Sequence, residues 1–242
     1  MITVDCISDL HGNYPELEGG DLLIVCGDLT ARDDCFGYAE FSRWFDLQQY
    51  QKKIFISGNH DNQLQNVTFP LWIDGYSEYL CDSGTEVLYH RILDPPNLDK
   101  IGIPYKRKTL KVWGSPWTRA FEGMNPHCKA FTCETEEELA EKWALIPDDI
   151  DILVTHSPPY GMHDYVMNGN KPFENVGSKT LGDRVIRLPN IKLFVCGHIH
   201  EGYGESVFLT EKPNGWNECV IVNASHVNEH YKPVNKPIRV IL

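Results

Sequence analysis

Five short apolar runs in this chain end on residues able to bind a metal ion. "ITVDCIS" closes at Asp9, with His11 two positions on, and "DLLIVC" closes at Gly27-Asp28. "KKIFIS" closes at Gly58-Asn59-His60-Asp61, "DIDILVT" at His156, and "IKLFVC" at Gly197-His198-Ile199-His200. One histidine after a strand is ordinarily a capped, satisfied end. Two imidazoles one residue apart, with ligand-type residues at four other strand ends, ask for more. Carboxylates and neutral imidazoles, with no thiolate in the motifs, suit borderline divalent metals such as Mn, Fe, Co, Ni or Zn. On extended backbone, side chains two positions apart point the same way. Asp9 and His11 would then share one side, as would His198 and His200, and the two imidazoles of the second pair would reach two adjacent ions. The donors suffice for two ions if one carboxylate is shared, and Asp28, alone on its turn, is the natural bridge. Two ions roughly 3.5–4 Å apart clamp a displacement at phosphorus and generate a hydroxide nucleophile.

Such residues must be brought together from most of the chain. Apolar runs of this length fit buried strands, and sites in open α/β sheets gather at the carboxyl ends of strands. Helical patterns lie between some of them. In "YAEFSRWFDLQQY" Tyr38, Phe41, Trp44 and Phe45 share one face. In "TEEELAEKWALIP" Thr135 and Glu138 have capping-box spacing and Pro147 stops the helix. Between Glu86 and Trp117, "EVLYHRI", "KIGIPY" and "LKVWGSPW" read as hairpins and loops; "ECVIVNASHVN" and "KPIRVIL" read as strands near the end. No repeat or Gly/Ser linker divides the sequence. The expectation is a single α/β domain over residues 1–242, a four-layer α-β-β-α sandwich of two packed mixed β-sheets with helices outside.

Composition narrows the partners. A net charge of −12 argues against a long polyanion. A small anionic substrate is still accommodated, since bound metal makes its site positive. Of eight cysteines, Cys6, Cys26, Cys196 and Cys219 fall in or at the start of apolar runs, and no C-x-x-C pair occurs. The expectation is a reduced, cytoplasmic protein with no signal peptide and no membrane span.

The ordered motifs "DLH" at 9–11, "GD" at 27–28, "GNHD" at 58–61, "TH" at 155–156 and "GHIH" at 197–200 resemble those of the calcineurin-like metallophosphoesterases. "GSPWT", "THSPPYG", "GHIHEGYG" and the closing "NAS…PVNKPI" are similar to the subfamily of metallophosphoesterase-domain proteins expressed in vertebrate brain, with its bacterial and phage relatives. Some vertebrate members carry glycine where this chain has His198, so the resemblance implies a complete site here. It implies that Asp9, His11, Asp28 and His200 hold one ion, and that Asp28, Asn59, His156 and His198 hold the other, Mn being first choice. His60 would face the leaving or phosphoryl oxygens. Related protein phosphatases orient that histidine with an aspartate where this chain has Ala31, which leaves Asp61 as the nearest candidate partner. The implied activity is a phosphodiesterase acting on cyclic nucleotides or other small phosphodiesters through a metal-bridging hydroxide. A phosphomonoesterase or protein phosphatase is the alternative; a non-catalytic scaffold is disfavoured because every ligand position is filled.

Weaker signals have plainer readings beside them. Arg32 is a candidate phosphate contact or a solvated arginine. Trp117 is a candidate stacking partner for a nucleobase or a packed loop anchor. His163 follows a ligand loop and is a candidate cleft residue. Lys106, Arg107, Lys108 and Lys111 form a basic run, favoured as a solvated hairpin tip. His226 and His230 are expected not to be ligands.

Overall fold

Each ligand-bearing run is a strand whose last residues are buried on both faces, as parallel strands covered on two sides must be. The computed structural model describes residues 1–66, 77–89, 108–121, 123–167 and 173–242. Its elements run β1 (Thr3–Ile7), β2 (Gly20–Cys26), α1 (Cys35–Leu47), β3 (Tyr50–Ile56), α2 (Asn62–Gln65), β4 (Ser77–Tyr79), β5 (Ser83–Tyr89) and β6 (Lys108–Ser115). There follow β7 (Thr118–Arg119), β8 (Thr132–Cys133), α3 (Glu136–Trp143), β9 (Ile152–Thr155), β10 (Tyr165–Val166) and β11 (Glu174–Asn175). The last are α4 (Lys179–Val185), β12 (Leu193–Cys196), β13 (Gly204–Lys212), β14 (Gly215–Asn223) and β15 (Ile238–Ile241).

One sheet has the order β15-β1-β2-β3-β4, parallel except for β15. The other has the order β13-β14-β12-β9-β6-β5, with a parallel centre and antiparallel edges. Alternation along the strands builds the layers. Val4, Cys6, Leu22, Ile24 and Ile54 meet Val112, Ile152, Val154, Leu193 and Val195 between the sheets. Leu23, Val25 and Phe55 face the other way, under Tyr38, Phe41 and Phe45 of α1. Leu153, Phe194 and Ile221 pack under Leu139 and Trp143 of α3 and Leu181 and Val185 of α4. The result is the expected α-β-β-α stack.

The helices are anchored by local chemistry. Asp34 Oδ1 accepts the Gly37 N–H at the start of α1, 2.9 Å away. At its other end the buried Lys53 Nζ donates to the carbonyls of Phe45 and Asp46, where a cation complements the helix dipole. Thr135 caps α3 through the Glu138 N–H, but Glu138 reaches back to the Glu134 N–H instead of the cap's own amide. β5 and β6 form the predicted antiparallel pair. β13 carried no sequence signal: it is a largely exposed edge strand with few inward residues. "KIGIPY", His90, Lys106 and Arg107 lie outside the described residues; Lys111 of that basic run pairs with Asp149. Among the described residues, no helix is long and apolar enough to cross a membrane.

Candidate metal centre

The strand ends are joined to one another before any side chain is considered. Asp9 N–H bonds to the Gly27 carbonyl, His11 N–H to that of Asp28, and Gly197 N–H to that of His156. Extended alternation does not aim the ligands, however. Asp9 (φ 51°), His11 (42°), Asp28 (52°) and His198 (69°) all have left-handed backbone, and His200 starts a short 3₁₀ turn. The expected geometry for the Asp9/His11 and His198/His200 pairs is therefore corrected: the chain turns sharply off each strand and swings the side chains inward. Such backbone is costly for residues other than glycine and is typical of functional sites. The motif glycines make room for it. A Cβ on Gly58 would lie 2.2 Å from Asp28 Oδ1, and one on Gly197 would lie 2.3 Å from Asp9 Oδ2.

Asp28 is the centre of the arrangement. Its Oδ2 is 3.6 Å from His11 Nε2 and 3.8 Å from His60 Nε2; its Oδ1 is 3.4 Å from His156 Nε2 and accepts the His60 N–H at 2.9 Å. On one side, His200 Nε2 lies 3.4 Å from Asp9 Oδ1, and Asp9, His11 and His200 present donor atoms within 4.8 Å of one another. On the other side, His156 Nε2 lies 3.1 Å from Asn59 Oδ1, and the His198 ring is 5.0 Å from that of His156. His60 also groups with His11 and Asp28, although the resemblance gives it no ion.

The surroundings orient these donors. His156 Nδ1–H points at the Cys26 carbonyl, 2.7 Å away, and His200 Nδ1–H at that of Asn228, 3.0 Å away, which leaves each Nε2 facing inward. A ligating imidazole ordinarily spends its other N–H in this way. Asn59 Nδ2 donates to the Cys128 carbonyl, so its Oδ1 turns toward His156. Asp9 accepts Ser225 Oγ–H at 2.7 Å and the His198 N–H. Burial pushes Asp9 upward, but the His200 hydrogen bond and nearby imidazole charge hold its carboxyl well below the usual range. Burial lowers His11 to about 4 and, with the His156 charge, His198 to about 3. Both are neutral near pH 7, the form that ligates. Burial opposes protonation of His156, but the Asp28 carboxylate raises it to about 9. His11 Nε2 is buried with no hydrogen-bond partner, an unmet need that a cation would fill. The donor set therefore fits divalent metal.

Other expected residues stand elsewhere. Asp61 does not orient His60: its carboxylate is buried and accepts the N–H groups of Gly58, Asp28 and Leu29, bracing the turns that present Asp28 and Asn59. Burial and the charge of Asp28 push it up to about 8. Trp117 is an anchor, with its N–H on Asp82 Oδ2, Lys142 Nζ 3.8 Å over its ring and Phe131 against it. His163 engages the Gly202 carbonyl and Ser206 Oγ, both at 2.9 Å, so both nitrogens are spent locally. Arg32 is exposed and is held in its turn through its carbonyl. Sequence reasoning missed Ser225, Asn228 and Tyr231. All three lie beyond the last histidine motif, in loops with no ligand-like pattern. Tyr231 packs its ring against His11, His60 and His200.

Comparison with known proteins places the chain in a family. Metallophosphoesterase domain-containing protein 1 of Homo sapiens and that of Mus musculus are each 32% identical over 250 residues, covering 96% of this chain and 68% of theirs. A solved structure aligns with a TM-score of 0.50 at 12% identity, over 91% of this chain and 89% of that one, a likeness of fold. Residues 2–202, which carry every candidate ligand, match the calcineurin-like phosphoesterase family, and with the site assembled from those motifs the chain belongs to that family.

Proposed function

We propose that the chain is a dinuclear metal-dependent phosphodiesterase acting on cyclic nucleotides or other small diesters. The observation that carries this reading is the placing of Asp28 between two donor sets, with three imidazoles within 3.8 Å of its carboxylate oxygens. Asp9, His11, Asp28 and His200 would hold one ion, and Asp28, Asn59, His156 and His198 the other. Bound there, two divalent cations supply an activated water and neutralise phosphoryl charge. Mn²⁺ is the first choice. His60, partly exposed at the rim of Asp28, donates a proton to the departing oxygen. Asp61 is a positioning residue that holds the backbone of both ligand turns. The partner is a small ester and not a nucleic acid, in keeping with the −12 charge. A cytoplasmic setting is supported by eight cysteines that are all unpaired, five of them buried.

A metal-reconstituted activity panel tests the reading. Chelation should abolish turnover and Mn²⁺ should restore it. Bis-p-nitrophenyl phosphate and 2′,3′- or 3′,5′-cyclic nucleotides should be better substrates than p-nitrophenyl phosphate. Asp28→Ala should lose both ions. Wild-type turnover by the stripped protein or by Asp28→Ala would refute the dinuclear centre, and a monoester preference would favour a phosphomonoesterase.

A further inference from the structure

Tyr231 stands at the mouth of the centre, and the chemistry above makes no use of it. Its ring centroid lies 4.8 Å from that of His11 and 5.3 Å from that of His200, both T-shaped, and 6.3 Å from that of His60. The residue is 53% exposed. Imidazoles of the centre pack against its ring, while the residue as a whole stays half open to solvent.

The backbone beneath it is unusual. Tyr231 has φ 57°, a left-handed conformation that bulky residues seldom adopt. Such a residue persists only where its surroundings over-determine it, and ligand clamps are a common setting. Asn228 supplies the constraint. Its Oδ1 accepts the N–H groups of His230 and Lys232, both at 3.0 Å, and its carbonyl accepts the Tyr231 N–H at 2.8 Å. Its own N–H donates to the Lys232 carbonyl at 2.9 Å, and Val227 pairs with Pro233 across the loop. The same Asn228 carbonyl accepts His200 Nδ1–H at 3.0 Å. One asparagine thus locks the ring and an imidazole of the centre into a single frame. A merely solvated tyrosine needs no such frame.

We infer that Tyr231 is a specificity-determining residue, its ring the platform on which a planar aromatic group of the phosphoester stacks while phosphorus sits at the metal centre. The inference rests on the phosphoesterase reading and deepens it. The substrate class becomes esters with an aromatic group close to phosphorus, nucleotides above all, in preference to purely alkyl phosphoesters. Stacking depends on the ring and not on the hydroxyl, and its loss to alanine typically weakens binding about 5- to 150-fold.

A matched pair of cyclic diesters tests this. 2′,3′-Cyclic AMP and glycerol 1,2-cyclic phosphate present similar five-membered phosphodiester rings, but only the first carries a base. In the metal-loaded full chain, Tyr231→Ala should raise KM for the cyclic nucleotide about 5- to 150-fold and leave KM for the glycerol ester nearly unchanged. Tyr231→Asn should do the same, and asparagine tolerates the left-handed backbone, so the turn keeps its shape. Tyr231→Phe should behave as wild type. Equal changes on both esters, a loss confined to kcat, or a Phe variant as impaired as Ala would each overturn the platform. If the wild type turns over neither ester, the diesterase reading fails by itself. Calorimetry with AMP and glycerol phosphate then decides the platform: a preference for AMP that Tyr231→Asn erases upholds it, and no preference overturns it.

Discussion

His60 lies between Asn59, whose amide oxygen faces His156, and Asp61, whose carboxylate is committed to backbone amides. Its ring stands edge-on to His11 at 4.7 Å, and its Nε2 looks across 3.8 Å at Asp28. Among the described residues, the imidazole is thus placed by the His11 ring and the Asp28 carboxylate. If it protonates the departing oxygen, its worth depends on how badly that oxygen needs a proton. General acid catalysis typically contributes roughly 10²–10⁴-fold. A nitrophenolate leaves readily without help, whereas a ribose alkoxide does not. His60→Ala should therefore lose little on bis-p-nitrophenyl phosphate and far more on a cyclic nucleotide, with unchanged metal content. Equal losses on the two substrates would remove the general-acid role and leave charge stabilisation in its place. Asp9, Asp28, Asn59 and the histidines were legible one by one, because their types and strand-end positions are chemical statements. That Asp61 does not orient His60 was not legible, because Asp61 is adjacent in sequence yet points at the backbone of Gly58, Asp28 and Leu29.

Helix α1 shows how an element holds the site without touching it. Phe41 stacks on Phe45 and meets Phe55 edge-on, each pair at 5.3 Å, and all three are fully buried. This contact seats the helix on the outer face of the sheet whose strand ends carry Asp9, Asp28 and Asn59. Phe41→Ala should cost roughly 3–5 kcal/mol in urea denaturation, from lost contact plus a cavity. Asp34→Ala, which removes only the cap, should cost about 0.5–2 kcal/mol. Both variants should bind the same number of ions as wild type while folded. A Phe41→Ala cost near zero would mean that the helix is not what supports the sheet. The periodicity of α1, the Thr135 cap and the buried strands were readable because burial imposes period and local capping uses neighbours. β13 was not readable, because an edge strand paired on one side keeps most of its residues in water.

The eight cysteines are distributed through both halves of the sandwich, and each is free. Cys6, Cys26 and Cys196 lie within the strands and are fully buried, with burial raising their thiols. They act as small hydrophobes, so the packed layers and not covalent links hold the chain together. Titration of the denatured, unreduced protein should find close to eight thiols; four bridges would overturn both this and the proposed cytoplasmic setting.

Composition, strand-end motifs and apolar period together determined the class of fold, the candidate donors and the family resemblance, because each is written in residue type and local spacing. Tertiary structure decided how the donors are aimed. Asp9, His11, Asp28 and His198 reach the centre through left-handed turns that alternation along a strand does not foretell. It also decided which neighbours orient them: the carbonyls of Cys26, Cys128 and Asn228 and the hydroxyl of Ser225, all remote in sequence. A carbonyl carries no side-chain signature, so only packing reveals which one faces an imidazole. Tyr231 joins the site for the same reason, its ring brought to the histidines by a loop whose sequence marks no ligand.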